Sequence, residues 1–162
     1  MVEEKEEKTG IKKKKNLLIR TIEYTHDNKC FFMVVKALFY SAKFRLNLKM
    51  FEPKRLKKNW GIENEESGEE EPEEQIRYVV KTGKAVLCVC NNTAWESKCL
   101  VRALTAQKLL KKKKIHSTLY LGVRQDENGN MLAHAWLRWG KYIVTGGYED
   151  LGKYAVVSRF KS

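Results

Sequence analysis

The order of apolar and polar positions divides this chain into a helical first part and a sheet-forming second part. From residue 28 to 60 apolar residues recur at helical spacing, which predicts two helices, at 28–42 and 45–58, ending before Gly61. Pro53 falls inside the second pattern and starts a separate short helix. Pro72 suits the first position of a helix running to residue 89, with Glu73 and Glu74 favourable in its first turn. A further helix is expected over 96–112, where Leu100, Ala103, Leu104 and Gln107 share one face. The period then shortens. Leu119, Leu121 and Val123 alternate with Thr118, Tyr120 and Gly122, and Asp126-Glu-Asn-Gly129-Asn is a turn, so 116–124 and 131–139 form a hairpin. Gly140-Lys141 links it tightly to a third strand at 141–145, Gly146-Gly147 ends that strand, and 154–160 is a fourth. Helices followed by an antiparallel meander make an α+β fold.

The segments outside this pattern set the domain organisation. Residues 1–15 alternate Glu and Lys and read as a disordered charged tail, and Asn16 to Thr25 is rich in β-formers and reads as a short strand or ordered arm. The division expected is a tail at 1–15, a helical N-terminal region at 16–71 whose acidic stretch 62–71 is a linker or loop, and a core at 72–162.

Charge sharpens this picture. The net charge is +12, yet residues 62–74 carry eight glutamates and no base, while Lys29 to Lys58 holds nine Lys/Arg against the single Glu52. Lys111 to Lys114 is a second basic block. Such a surface either attracts acidic partners or simply keeps the chain in solution. The N-terminus lacks a secretory pattern, and the longest apolar run, Cys30 to Ala42, is broken by Lys36 and too short to span a bilayer. Four cysteines in that context point to reduced thiols in a cytoplasm, with no membrane partner.

Two segments carry candidate chemistry. Trp95-Glu-Ser-Lys-Cys99-Leu100 puts a thiol near a helix start, and Ala133-His134-Ala-Trp136-Leu137 puts an imidazole mid-strand between small residues. A free thiol has a pKa of about 8.5 and is a weak nucleophile until a helix N-terminus or a partnered histidine favours its thiolate. Ser97 as N-cap would place Cys99 at the second helical residue. The competing cap is Thr93, with Glu96 completing a capping box, which would put Cys99 in the second turn. Along the strand, His134, Trp136 and Arg138 share one face, and Ala135, Leu137 and Trp139 the other. A cysteine-bearing helix followed by a histidine-bearing strand is a papain-like order.

The run Trp95-x-Ser97-x-Cys99-Leu-Val-x-Ala103-Leu, then Leu119-Tyr-Leu-Gly122-Val, Ala133-His134-Ala-Trp136-Leu-Arg and Val144-Thr-Gly146-Gly147, resembles the lasso-peptide biosynthesis B2 proteins. The resemblance covers residues 72–160 and extends more loosely to 28–60. It implies an α+β, papain/transglutaminase-like core behind a helical N-terminal region. It also implies a bacterial cysteine protease that cuts the leader from a ribosomally made precursor. By that resemblance Cys99 is the nucleophile and His134 the general base, later the acid. The family's third residue, an aspartate on the next strand, has its place taken by Thr145 or Gly146, neither a carboxylate. A Cys99–His134 dyad is then expected, with Thr145 orienting the imidazole through its hydroxyl or carbonyl, or Glu149, Asp150 or Asp126 reaching in from a loop. The partners implied are the precursor's leader peptide, a separate small leader-binding protein, and an asparagine-synthetase-like macrolactam cyclase. No cofactor is implied.

Rival readings are weaker. Cys88, Cys90 and Cys99 with a histidine have poor spacing for zinc, so no metal is expected. A nucleic-acid-binding module would account for the basic surface, but the lysine blocks lack interleaved aromatics and any binding motif. A scaffold that keeps the fold to hold a peptide, without turnover, fits the missing aspartate.

Overall fold

The computed structural model describes residues 28–95, 97–147 and 150–162. The tail at 1–15, the strand expected over 16–25, His26, Glu96 and Glu149 lie outside the described residues.

Where two helices were expected there is one, α1 (Asn28–Met50). Nothing in Lys43-Phe-Arg-Leu46 opposes helix, so the chain continues until Pro53 disfavours the α conformation in the residue before it. After that break come the short α2 (Pro53–Leu56) and a single tight turn, Lys57–Asn59. α3 (Glu73–Asn92) starts after Pro72 and buries Val79, Thr82, Val86 and Val89 at three- and four-residue intervals. α4 (Cys99–Lys111) is buried on nearly every side, because α1, α3 and the sheet all pack against it. Leu104, Leu109 and Leu110 are closed off there from solvent, and truncating any one to alanine costs about 2–5 kcal/mol. Ala37 and Tyr40 of α1 belong to this same core.

Five antiparallel strands follow the order β1 (Ile62–Glu63), β5 (Ala155–Lys161), β2 (Thr118–Gln125), β3 (Met131–Trp139), β4 (Tyr142–Thr145). Consecutive pairing holds from β2 to β4, but the last strand returns to β2 instead of extending past β4. That register sets Phe160 opposite Leu119, where it fills the core against the edge of Trp60. The two sheet faces differ. Leu119, Ala135, Leu137, Trp139 and Phe160 pack on the helices, whereas Tyr120, Trp136 and Tyr154 form a separate aromatic cluster.

The acidic stretch, expected as a linker or loop, runs as loop after β1 and is tied to the sheet. Ile62 and Glu63 pair with Lys161 and Phe160, and Ser67 bonds Thr118 Oγ1 through both its N–H (2.8 Å) and its hydroxyl (2.9 Å). Glu66 bridges Arg138 (3.1 Å) and Arg159 (2.7 Å), Glu65 meets Lys161 (3.2 Å), and Glu71 accepts the Lys141 N–H. Glutamates without a local base thus find their cations on the strands.

Candidate active site

Cys99 is the first residue of α4. Its N-cap is Lys98, with extended backbone and no side-chain cap bond, so neither expected cap is used. Ser97 is buried with its hydroxyl beside the Cys90 thiol, and its carbonyl accepts from Arg102 Nε (2.8 Å). Thr93 closes α3 instead, its hydroxyl donating to the Trp95 carbonyl (3.4 Å). The outcome moves Cys99 one position closer to the helix end than a Ser97 cap would. Its N–H therefore has no acceptor within the helix. The half-buried Cys99 lines a recess of about 580 Å³ with Thr93, Trp95, Lys98 and Arg102. Cys90 lies deeper at the same recess, where burial pushes its thiol up, against a smaller opposing effect of the Ser97 hydroxyl.

His134 sits mid-β3 and is 4% exposed. The strand's alternation sends Ala135 and Leu137 toward the helices and His134 toward the aromatic cluster. There its ring stacks on Trp136 (6.0 Å, 19°) and lies 5.3 Å from Tyr154. Gly122 makes this closure possible, since a Cβ there would lie 2.8 Å from the Trp136 ring and 2.9 Å from Tyr154. Nε2 of His134 is 2.8 Å from the carbonyl oxygen of Gly146. A carbonyl only accepts, so Nε2 carries the proton. In the neutral ring Nδ1 is then the basic nitrogen.

The contact expected of Thr145 is thus made by the next residue, through backbone. The Thr145 hydroxyl is buried with no hydrogen-bond partner among the described residues. Gly146 turns with φ +83°, which lays its carbonyl across β3, and a Cβ there would stand 2.7 Å from the Ala135 oxygen. Two loop candidates are engaged in their own turns. Asp126 accepts from the Asn128 and Asn130 N–H groups and the Asn130 side chain, which hold its carboxyl below the usual range. Asp150 accepts from the Gly152 N–H and pairs with Lys153.

Cys99 and His134 stand on elements that pack together, α4 and β3, but the His134 ring is turned toward the aromatic cluster and away from the helix layer, and it is not among the described residues that line the Cys99 recess. Arg102, one turn beyond Cys99, links their surroundings. It borders the Cys99 recess and also a second, largely apolar cavity of about 470 Å³ between α3 and β4, which Thr145 and Gly146 edge. Sequence reasoning missed Arg102 and Tyr154. The three-residue spacing from Cys99 could have found the arginine, but no local signal marks the tyrosine. Among the described residues no three His, Cys, Asp or Glu side chains cluster as a metal site would require.

A family model of the transglutaminase-like superfamily matches residues 42–159, a span that takes in Cys99, His134, Gly146 and all four long strand and helix elements around them. Comparison with curated proteins and with solved structures returns no match.

Proposed function

The chain belongs to the transglutaminase-like superfamily, and from that premise we propose that it is a cysteine peptidase acting through Cys99 and His134. The observation that carries the reading is the Gly146 carbonyl on His134 Nε2, which fixes the Nε2–H tautomer of the neutral ring and so orients the imidazole. In the first step His134 Nδ1 accepts the thiol proton and Cys99 Sγ bonds to the scissile carbonyl carbon. The C–N bond then breaks, and the imidazolium returns the proton to the leaving amine. Water, deprotonated by the same nitrogen, next attacks the thioester, releasing the acid and restoring the thiol. The Cys99 N–H at the helix start is one donor for the developing oxyanion. Reaction requires the ring and the thiol to approach to about 3–3.5 Å; His134 faces the aromatic cluster and not the helix layer, so the proposed reaction includes a rearrangement that brings the ring to Cys99.

The substrate in this proposal is a ribosomally made precursor of the lasso-peptide type, cut between leader and core. A separate small protein presents the leader, and a macrolactam cyclase takes the freed core. The motifs around Cys99, Gly122, His134 and Gly146 support this choice of substrate. A second reading, a scaffold that binds a peptide without turnover, draws on the same contact, since a carbonyl stands at His134 where a carboxylate would complete a triad.

Incubation of the chain with precursor and leader-binding protein, read by mass, tests the proposal. Separate leader and core should appear with the wild type and vanish with Cys99→Ala. Equal product from both proteins, or none from either while precursor still binds, would overturn the peptidase.

A further inference from the structure

α1 has two apolar faces, and among the described residues only one is packed. Met33, Ala37, Tyr40 and Ser41 are buried against the other helices. On the opposite side Phe31, Phe32, Val35, Leu38, Phe39 and Leu46 all stand exposed, Phe32 and Phe39 at 63% each. At 100° per residue these six fall within an arc of about 120°, a continuous stripe over four turns. Exposed Lys36 and Lys43 border it, and exposed Lys54, Arg55 and Lys58 follow just beyond the helix end. Lys112 adds a further cation at the neighbouring end of α4, over the Tyr40 ring (5.5 Å). From residue 29 to 58 the single acid is Glu52.

We infer that this face of α1 lies on an anionic membrane surface, its phenylalanines entering the headgroup boundary and its lysines meeting lipid phosphates. Three observations fit that occupant. The stripe is aromatic and aliphatic with lysines at its border, the composition of interfacial helices. From residue 29 to 58 the charges are of one sign but for Glu52, so a plane of anionic headgroups satisfies them together. The inner face is already fixed to the core, so α1 presents the stripe as a rigid rod. A partner protein would instead need a long groove rimmed with carboxylates, and a second copy would bring lysine against lysine. No helix among the described residues is long and apolar enough to cross a membrane, and lying on a surface requires none. The inference runs against the sequence expectation of no membrane partner and stands apart from the peptidase proposal.

Co-sedimentation of the full chain with large vesicles decides it. Binding is expected to mixed phosphatidylcholine–phosphatidylglycerol vesicles and to be weak on phosphatidylcholine alone. Phe32→Ser/Phe39→Ser should lower the partition coefficient by about tenfold or more while circular dichroism stays unchanged. Lys36→Glu/Lys43→Glu should lower it comparably on the anionic vesicles alone. Three results would overturn the inference. One is absence of wild-type binding to the mixed vesicles. Another is undiminished binding by the double Phe variant. The third is a wild-type dimer in analytical ultracentrifugation that the Phe variant converts to monomer, which would assign the stripe to a second copy.

Discussion

Replacing Gly146 with alanine tests whether a backbone carbonyl orients His134. The position has φ +83°, which costs an L-residue about 1–2 kcal/mol. The new methyl would lie 2.7 Å from the Ala135 oxygen and 2.8 Å from Trp136 Cβ, so Gly146 or the buried middle of β3 must move, at about 1–3 kcal/mol. If the carbonyl swings away, the His134 Nε2–H is left buried without its acceptor, a further 1–3 kcal/mol, roughly. These terms overlap, because one displacement relieves the clash and breaks the bond. The expected loss is therefore about 3–5 kcal/mol, a large part of the 5–15 kcal/mol, roughly, of a typical domain. Urea unfolding measures it, and nitrogen-15 spectra of labelled histidine report which ring nitrogen is protonated. Thr145→Val is the control. It swaps a partnerless buried hydroxyl for a methyl, and stability should stay level or rise by up to about 1 kcal/mol. A Gly146→Ala loss under about 1 kcal/mol, with an unchanged histidine spectrum, would refute the reasoning. So would a Thr145→Val variant that loses the Nε2-protonated form.

Iodoacetamide at neutral pH should modify Cys99 ahead of Cys90, because burial pushes the Cys90 thiol up while Cys99 opens onto a recess; peptide mapping that finds Cys90 labelled first would contradict this. Tyr78, Cys90 and Tyr120 are all raised, chiefly by burial, so the native state keeps these protons after the unfolded chain has lost them. Their contribution is fully present below the unfolded values of about 8.5 for Cys and 10 for Tyr, and it is lost as pH rises through the higher native ones. The urea midpoint should accordingly fall on the alkaline side, and a flat profile there would count against those burials. Glu66→Gln breaks the bridges to Arg138 and Arg159 and should cost about 1 kcal/mol at low salt and less at high salt, as read by thermal melts in both.

How much of this was legible in the sequence depends on how local each signal was. Helix starts marked by Pro72 and strands marked by alternation were readable, since period and breakers are written in neighbouring residues. The length of α1 was not, because its apolar residues cover two faces and blur the break expected near residue 43. The partner of β5 could not be read either, since Phe160 finds Leu119 only through the whole sheet. The site divides in the same way. Cys99 at a helix start is a local fact and came within one residue. The His134 contact is not local, because a backbone carbonyl leaves no trace in residue type; Thr145 was favoured through its hydroxyl or carbonyl, and its hydroxyl bonds nothing among the described residues. What did mark the place was a glycine. Only a glycine tolerates both the positive φ and a place where a Cβ would stand 2.7 Å from the Ala135 oxygen, so the residue without a side chain is the one that brings an acceptor to His134. In a chain without a carboxylate at this position, the glycine pair after β4 says more about the imidazole than the threonine before it.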